Sequence, residues 1–322
     1  MPMITYDKLS GKPSACKSLT GLSVTDFDAL YDDFAPAHAQ RLQQSTTTQR
    51  TGKPRQRAVG AGRPHQHDLR DRLLMALFWL RIYPTYEVLG FFFWLNKTNA
   101  EDNVKDVLAT LRTLTDFAFD HPAAQRKKLR SAQAVMEAFP DVRLVIDAKE
   151  QRIQRPRSTK DNDRQKPYYS GKKKAHTVKT QIGVSPCGRV DAVSDSVPGG
   201  ANHDLTLLRQ SGLLEQLGEG EAAMMDKGYD GIRHDYPDTC IYQPDKARRN
   251  HPLTEEQKAS NRVVSSYRIV VEHTIAQLNK FQALAQVYRH DLASHAGIVR
   301  VVAWIVNRRI AVKPLKTYGA VA

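Results

Sequence analysis

Three acids stand in apolar surroundings where a carboxylate is costly unless it has a task. Asp147 closes the run LVID, Asp226 closes AMMD, and Glu272 lies in YRIVVEHTIAQL between Val271 and His273. A short apolar run ending in an acid is the pattern of a buried strand whose last side chain projects into the crevice where open α/β sheets place their sites. Three such carboxylates, if they converge, would bind a hard cation: oxygen donors suit Mg²⁺ or Mn²⁺, and too few neutral ligands accompany them to indicate zinc. Each acid also has a plainer use. An acid after a strand caps a loop or the next helix, and Glu272 stands four residues after Arg268, the spacing of an ion pair on a helix.

A second group is cationic. Between Arg152 and Lys179 lie ten basic residues, Arg152, Arg155, Arg157, Lys160, Arg164, Lys166, Lys172, Lys173, Lys174 and Lys179, against two acids, Asp161 and Asp163. Tyr168 and Tyr169 sit among them. A basic insertion directly after a metal-binding acid is where a nucleic-acid backbone would run, so Arg155, Arg157 and Lys172–Lys174 are read as phosphate contacts; the alternative is a solvated hairpin tip. His203 and Asp204 follow the loop PGGAN and are read as supports for the metal-binding acids, although Asp204 can equally cap the helix DLTLL. No GxxxxGK[ST] occurs, so there is no P-loop, and no Ser-His-Asp or Cys-His arrangement has local support.

The whole chain agrees with a polyanionic partner. Its 322 residues hold 48 Lys and Arg against 34 Asp and Glu, a formal charge of +14, with a pI near 9.7. Such an excess points to DNA or RNA. At 41% hydrophobic and 25% charged, the composition is that of an ordinary globular protein with room for about two domains. The densest apolar stretch, Leu73 to Leu95, is broken by Arg81, Pro84 and Glu87, and the N-terminus lacks a signal-peptide core. No membrane association and a cytoplasmic location are expected. Three scattered cysteines, Cys16, Cys187 and Cys240, give neither a disulfide framework nor a zinc ribbon.

The elements that must position these residues are legible in outline. Residues 1–64 read as a mobile basic arm: SGKPSACKSLTG is turn-rich, and Arg50, Lys53, Arg55, Arg57 and Arg63 have no acid between them. Residues 65–118 read as a small all-α domain. Asp68 caps a helix carrying Leu69, Leu73, Leu77 and Leu80; Pro84 stops it; TYEVLGFFFWL forms a second helix. Thr98 with Glu101 is a capping box for a third helix reaching about Leu114, with Val104, Val107, Leu108 and Leu111 inward and Asn99, Asp102, Asn103 and Lys105 outward. Three short helices with a tight turn before the third are compatible with a helix-turn-helix. Residues 119–140 are a helical linker, 141–312 an α/β domain, and 313–322 a tail. In the α/β domain, LVID, HTVKTQIGV, RVDAVSDSV, AAMMD and CIYQPD read as strands. DLTLLRQSGLL, a helical region opened by the capping box Thr254–Gln257 and ending near Phe281, and Leu292–Val312 read as helices. A mixed sheet with helices packed on it follows.

Several blocks occur together and in order: RQRAVGAGRP, DRLLMALFWLRIYPTYEVLGFFF, LVIDAKEQRIQRP, PYYSGKKKAHTVK, PGGANHDLTLL, DKGYDG and SSYRIVVEH. Over roughly Arg55 to Phe281 the chain resembles the bacterial insertion-sequence DDE transposases of family five, relatives of the PIF/Harbinger transposases of eukaryotes. The resemblance implies an RNase H-like α/β fold, a mixed sheet with flanking helices, preceded by a helix-turn-helix domain at about Asp68–Leu114. It implies that the acidic triad is Asp147, Asp226 and Glu272 and that it binds two divalent ions, Mg²⁺ or Mn²⁺. It further implies cleavage of the inverted ends of an insertion sequence and their joining to target DNA, at least a homodimer on DNA, and a place at the bacterial nucleoid.

Two positions depart from the family's wider signature. Ser265 stands where a tyrosine often precedes the arginine by three residues, and Asn279 stands where a lysine follows the glutamate by seven, with Lys280 one step on. If the helix continues that far, Arg268, Glu272 and Asn279 share a face and Lys280 is rotated by about 100°. DNA contacts from Arg268 and Lys280 are then weakened or shifted. The rival reading is a non-catalytic DNA-binding protein derived from a transposase; the intact acids argue against it.

Overall fold

The computed structural model describes residues 3–44, 64–115, 139–157, 165–247 and 252–312. The chain divides into two compact units: Met1–Asp116 with Lys280–Ala283, and Phe117–Asn279 with Leu284–Ala322. The cluster Arg50–Arg63 of the expected arm, the expected linker up to residue 138 and the tail all lie outside the described residues.

The first unit is all-helical: α1 (Tyr6–Ser10), α2 (Pro13–Thr20), α3 (Val24–Gln44), α4 (Leu69–Ile82), α5 (Tyr86–Phe93) and α6 (Lys97–Thr113). The expectation of a mobile arm is therefore corrected for residues 6–44. Phe27, Leu30, Phe34 and His38 fall at helical spacing and are all buried on α3, a stripe that the Gly, Pro and Ser of the flanking turns obscure. Tyr6 stacks on Phe27 with ring centroids 4.9 Å apart. Helix α4 is the centre, buried at every position from Arg72 to Leu80, as a helix apolar on all sides must be. Asp68 caps it, accepting from Asp71 N at 2.7 Å, and Tyr83 ends it in the left-handed region just before Pro84. The cap of α6 differs from the expected Thr98–Glu101 box. Asn96 accepts from Asn99 N at 2.8 Å and starts the helix two residues earlier, in keeping with the better capping by asparagine than threonine.

Asn103, expected outside, is buried because it serves a charge network: its Oδ1 accepts from Arg72 Nε at 2.7 Å. Asp106 accepts from both Arg41 and Arg72, and Thr110 Oγ1 accepts from Arg41 Nε at 2.8 Å. One carboxylate on α6 thus neutralises cations from α3 and α4.

The second unit is built on a mixed sheet of seven strands: β1 (Val142–Arg152), β2 (Tyr169–Ser170), β3 (Ala175–Val184), β4 (Val190–Val193), β5 (Val197–Pro198), β6 (Ala222–Met225) and β7 (Cys240–Tyr242). Its path is β2-β3-β1-β6-β7, with β4 and β5 also on β3. β1 and β3 are antiparallel, whereas β6 runs parallel to β1 and β7 parallel to β6. The helices are α7 (Asp204–Ser211), α8 (Ile232–Asp235), α9 (Glu255–Leu278), α10 (Gln282–Ala285) and α11 (His295–Val312).

Side-chain alternation sorts the helices onto two faces. Leu144, Ile146, Ala223 and Met225 pack with Leu208, Leu213, Tyr229 and Ile232 on the α7–α8 face. The opposite face carries α9 and α11, where Asn307 clasps Val190 by donating to its carbonyl at 2.7 Å and accepting from its amide at 2.8 Å. The capping box of α9 is as predicted, Thr254 with Gln257. β1 departs from its predicted end: it runs five residues beyond Asp147, paired to β3 as far as Arg152 opposite Thr177. The polar residues of that extension are held from the helix side. Lys149 Nζ donates to Leu284 O at 2.7 Å, and Gln151 contacts His295 Nε2 at 2.9 Å.

The Asp106 network generates a stability prediction. Replacing Asp106 with alanine leaves Arg72 buried without its anion, a loss of about 3–5 kcal/mol. Urea unfolding followed by circular dichroism should show a drop of that order; a change under about 1 kcal/mol, the scale of an exposed pair, would show that the network is solvent-screened.

Candidate active site

Ile146 on β1 pairs with Met225 on β6, and both point into the α7–α8 core. The next residue on each strand, Asp147 and Asp226, therefore points to the α9 face, on neighbouring backbones about 4.8 Å apart. β6 ends at Met225 while β1 continues, so the pair lies where one strand stops beside another that goes on. Asp226 then caps a short 3₁₀ turn by accepting from Lys227 N, and its carbonyl is held by Gln243 Nε2 at 3.0 Å. Asp147 accepts from its neighbour Ala148 N at 2.8 Å. Burial raises the Asp147 pKa above its ordinary value; the Ala148 bond and Arg268 oppose the rise, and the nearby charges of Asp226 and Asp204 add to it.

The residue of α9 that reaches this pair is Arg268. Its Nη1 lies 3.5 Å from Asp226 Oδ1, its side chain is 12% exposed, and that of Asp226 is 45% exposed. Arg268, expected among the DNA contacts, is turned in to the aspartates. Glu272, one turn further along α9, is exposed. Among the described residues no three acids, histidines or cysteines form a group that could hold a metal ion. The structure thus sets Asp147 beside Asp226, pairs Asp226 with Arg268, and among the described residues does not gather Glu272 with them. α9 ends at Leu278 with Asn279 as its C-cap, so Lys280 has no helical phase, and its carbonyl accepts from Arg81 within the first unit.

Asp204 opens α7 and is not its cap; that position is His203, which is exposed and makes no side-chain capping bond. The Asp204 carboxylate pairs with Lys179 Nζ at 2.9 Å, and that amine also donates to Asn202 O at 2.8 Å. Gln181 Nε2 donates to Asp204 O at 2.8 Å and to the Tyr229 hydroxyl at 3.2 Å. The Tyr229 phenol is held protonated by burial and then by the charges of Asp204, Asp147 and Asp226. Asp204 is therefore electrostatically linked to the aspartate pair, whereas His203 makes no such link.

The basic hairpin has a defined seat. Lys172–Lys174 form the exposed turn between β2 and β3, with Lys174 in the left-handed region. Lys172, Lys173 and Lys179 line a cavity of about 130 Å³ with Ala148, Glu150 and Asp204. The loop PGGAN holds the hairpin's base: Gly200 N and Ala201 N both donate to Pro167 O, at 2.9 and 2.8 Å. A Cβ on Gly200 would lie 2.2 Å from Tyr169 O, so only glycine permits this approach. Arg155 Nε donates to Gln165 at 2.8 Å, and Arg157 is exposed.

The donor set fits a hard divalent cation at Asp147 and Asp226. Both offer carboxylate oxygens beside one another on adjacent backbone, the donor type that hard divalent cations take. Spacing in the sequence gave no sign of three features. The inward turn of Arg268, the Lys179–Asp204 pair and the placement of Tyr229 all depend on partners more than twenty residues away.

Residues 146–307, which include all three acids, match the family described as DDE superfamily endonuclease. Over 256 residues the chain is 28% identical to the "Probable transposase for insertion sequence element IS702" of Microchaete diplosiphon, an alignment covering 78% of this chain and 84% of that one. Over 98 residues it is 36% identical to the "Transposase for insertion sequence element IS1106" of Neisseria meningitidis serogroup B, covering 28% of this chain and 31% of that one. No solved structure matches the chain.

The raised pKa of Asp147 predicts a pH-dependent gain on its removal. An acid that binds its proton more tightly in the fold than in the unfolded chain costs stability when ionised; the cost is present above its raised pKa and absent below the ordinary value of 3.8. Asp147→Asn should therefore raise the melting temperature at pH 7 in EDTA, with the gain shrinking as the pH falls toward 3.8. An unchanged melting temperature at pH 7 would show that Arg268 already offsets the charge in full.

Proposed function

We propose that this chain, which belongs to the DDE superfamily endonucleases, is a DNA transposase that cleaves the inverted ends of an insertion sequence and joins them to target DNA. The order of its motif blocks supports a place in insertion-sequence family five with kinship to PIF/Harbinger transposases. The observation that carries the reading is that Asp147 on β1 and Asp226, directly after β6, follow the paired residues Ile146 and Met225 of two parallel strands inside the stretch that matches the family. Asp147 and Asp226 would hold the divalent ions, Mg²⁺ or Mn²⁺, that DDE endonucleases generally use, with Glu272 completing the set once turned inward. When bound, such ions supply activation of water and stabilisation of the leaving 3′-oxygen.

The protein's own contribution is positioning. Carboxylates fixed on two strands define one point on the DNA backbone, and the lysine hairpin holds the phosphates flanking it. Asp204 and Tyr229 keep Lys179 and Gln181 in place behind the hairpin. Recognition of the inverted ends is assigned to the first unit as a helix-turn-helix domain with α6 as its reading helix, aided by the basic residues 50–63. Two ends cut in concert call for a homodimer on DNA. Among the described residues no helix is long and apolar enough to cross a membrane, and the protein is assigned to the bacterial nucleoid.

The direct test is nicking of DNA that carries the element's inverted ends, in Mg²⁺ or Mn²⁺. Asp147→Asn and Asp226→Asn should each lower the nicking rate by about 10²–10³-fold, the scale of losing one fixed charge-stabilising group. End binding without nicking in either metal would favour the non-catalytic reading instead.

The hairpin gives a second measurement. Replacing Lys172, Lys173 and Lys174 with alanine should weaken binding to every DNA sequence about equally, and the slope of log affinity against log salt should fall by roughly 2.7, at 0.9 per phosphate contact. A slope change near zero would identify a solvated tip. Lost sequence discrimination with little change in slope would mean base contacts.

A further inference from the structure

Arg268 is an unusual neighbour for two carboxylates assigned to a cation. It approaches Asp226 through one nitrogen at 3.5 Å, not through the two-pronged fork that makes arginine–carboxylate pairs strong. Its Nε is buried and has no hydrogen-bond partner. The guanidinium thus brings a positive charge against the carboxylate pair through one contact to Asp226 while its buried Nε has no hydrogen-bond partner. Arg268 has an alternative partner within reach: Glu272 is exposed, four residues on, on the same side of α9.

We propose that Arg268 competes with the divalent cation for the Asp147–Asp226 pair, neutralising the two carboxylates as an arm of α9 and yielding them to the cation by turning toward Glu272. The inference rests on the assignment of those aspartates as metal ligands. It makes Arg268 a positioning residue with a cost. The two cations, one tethered and one free, occupy the same field, so binding of one must disfavour the other. Tethering keeps the acids neutralised before the metal and DNA arrive, at the expense of weaker metal affinity.

Competition has a signature that a structural role lacks. Mn²⁺ binding to the full-length protein without DNA is measured by titration calorimetry and by the Mn²⁺-induced shift in melting temperature. Arg268→Gln should melt at a lower temperature than wild type in EDTA, yet bind Mn²⁺ roughly tenfold more tightly, about 1.4 kcal/mol, and show a larger Mn²⁺-induced shift. Arg268→Lys, which keeps the charge on a shorter-reaching amine, should lie between the two and carries the test if the glutamine variant does not fold. Equal or weaker Mn²⁺ binding by both variants overturns the competition while leaving the metal assignment standing. Failure of wild type and variants alike to bind Mn²⁺, or undiminished binding by Asp226→Asn, overturns the assignment of the aspartates and the competition with it.

Discussion

The parallel pairing of β1 with β6 places two negative charges next to each other, and much of the second unit is arranged around that fact. With Ile146 opposite Met225 in the α7–α8 core, Asp147 and Asp226 have no choice of face. A one-residue slip would bury both carboxylates among Leu208 and Tyr229 and expose the apolar pair, so the hydrophobic core itself enforces the position of the acids. The cost of holding like charges together is offset locally by Arg268, by the Ala148 amide and by the partial exposure of Asp226.

The charge of the chain is unevenly distributed around this point. The lysine turn Lys172–Lys174 stands on the same sheet as the acidic pair, in a chain with a formal excess of fourteen positive charges. Such a surface attracts a polyanion from a distance and repels it at the last step unless cations intervene. The lysines sit on a two-strand hairpin whose base is fixed by backbone approach at Gly200 and by the Lys179–Asp204 pair. The PGGAN loop is therefore the mechanical link between the basic turn and the acidic crevice, with α7 as its anchor.

The first unit solves a different problem. Its central helix α4 has no polar face, so polar contacts are concentrated at its start, where Arg72 meets Asp106 and Asn103. That network fixes α3, α4 and α6 together and leaves the outer side of α6 with Lys97, Lys105, Glu101 and Asp102, among which Lys105 and Glu101 pair at 2.8 Å.

The amino-acid sequence by itself determined the elements whose signals are local. The strand HTVKTQIGV, the Thr254–Gln257 cap and the helix start at Asp68 are all set by neighbours within four residues. The apolar runs before Asp147 and Asp226 marked those acids because burial of the preceding residues is written in their side chains. The helices of residues 6–44 were hidden by turn-forming residues around a stripe that only packing makes decisive. Tertiary structure alone decided that β1 runs past Asp147, that Arg268 turns inward in place of Glu272, and that α9 stops before Lys280. The inward turn of Arg268 is a balance between charges brought together from distant parts of the chain. Coulomb interactions depend on distance and burial, and neither is encoded in the spacing of residues along one segment.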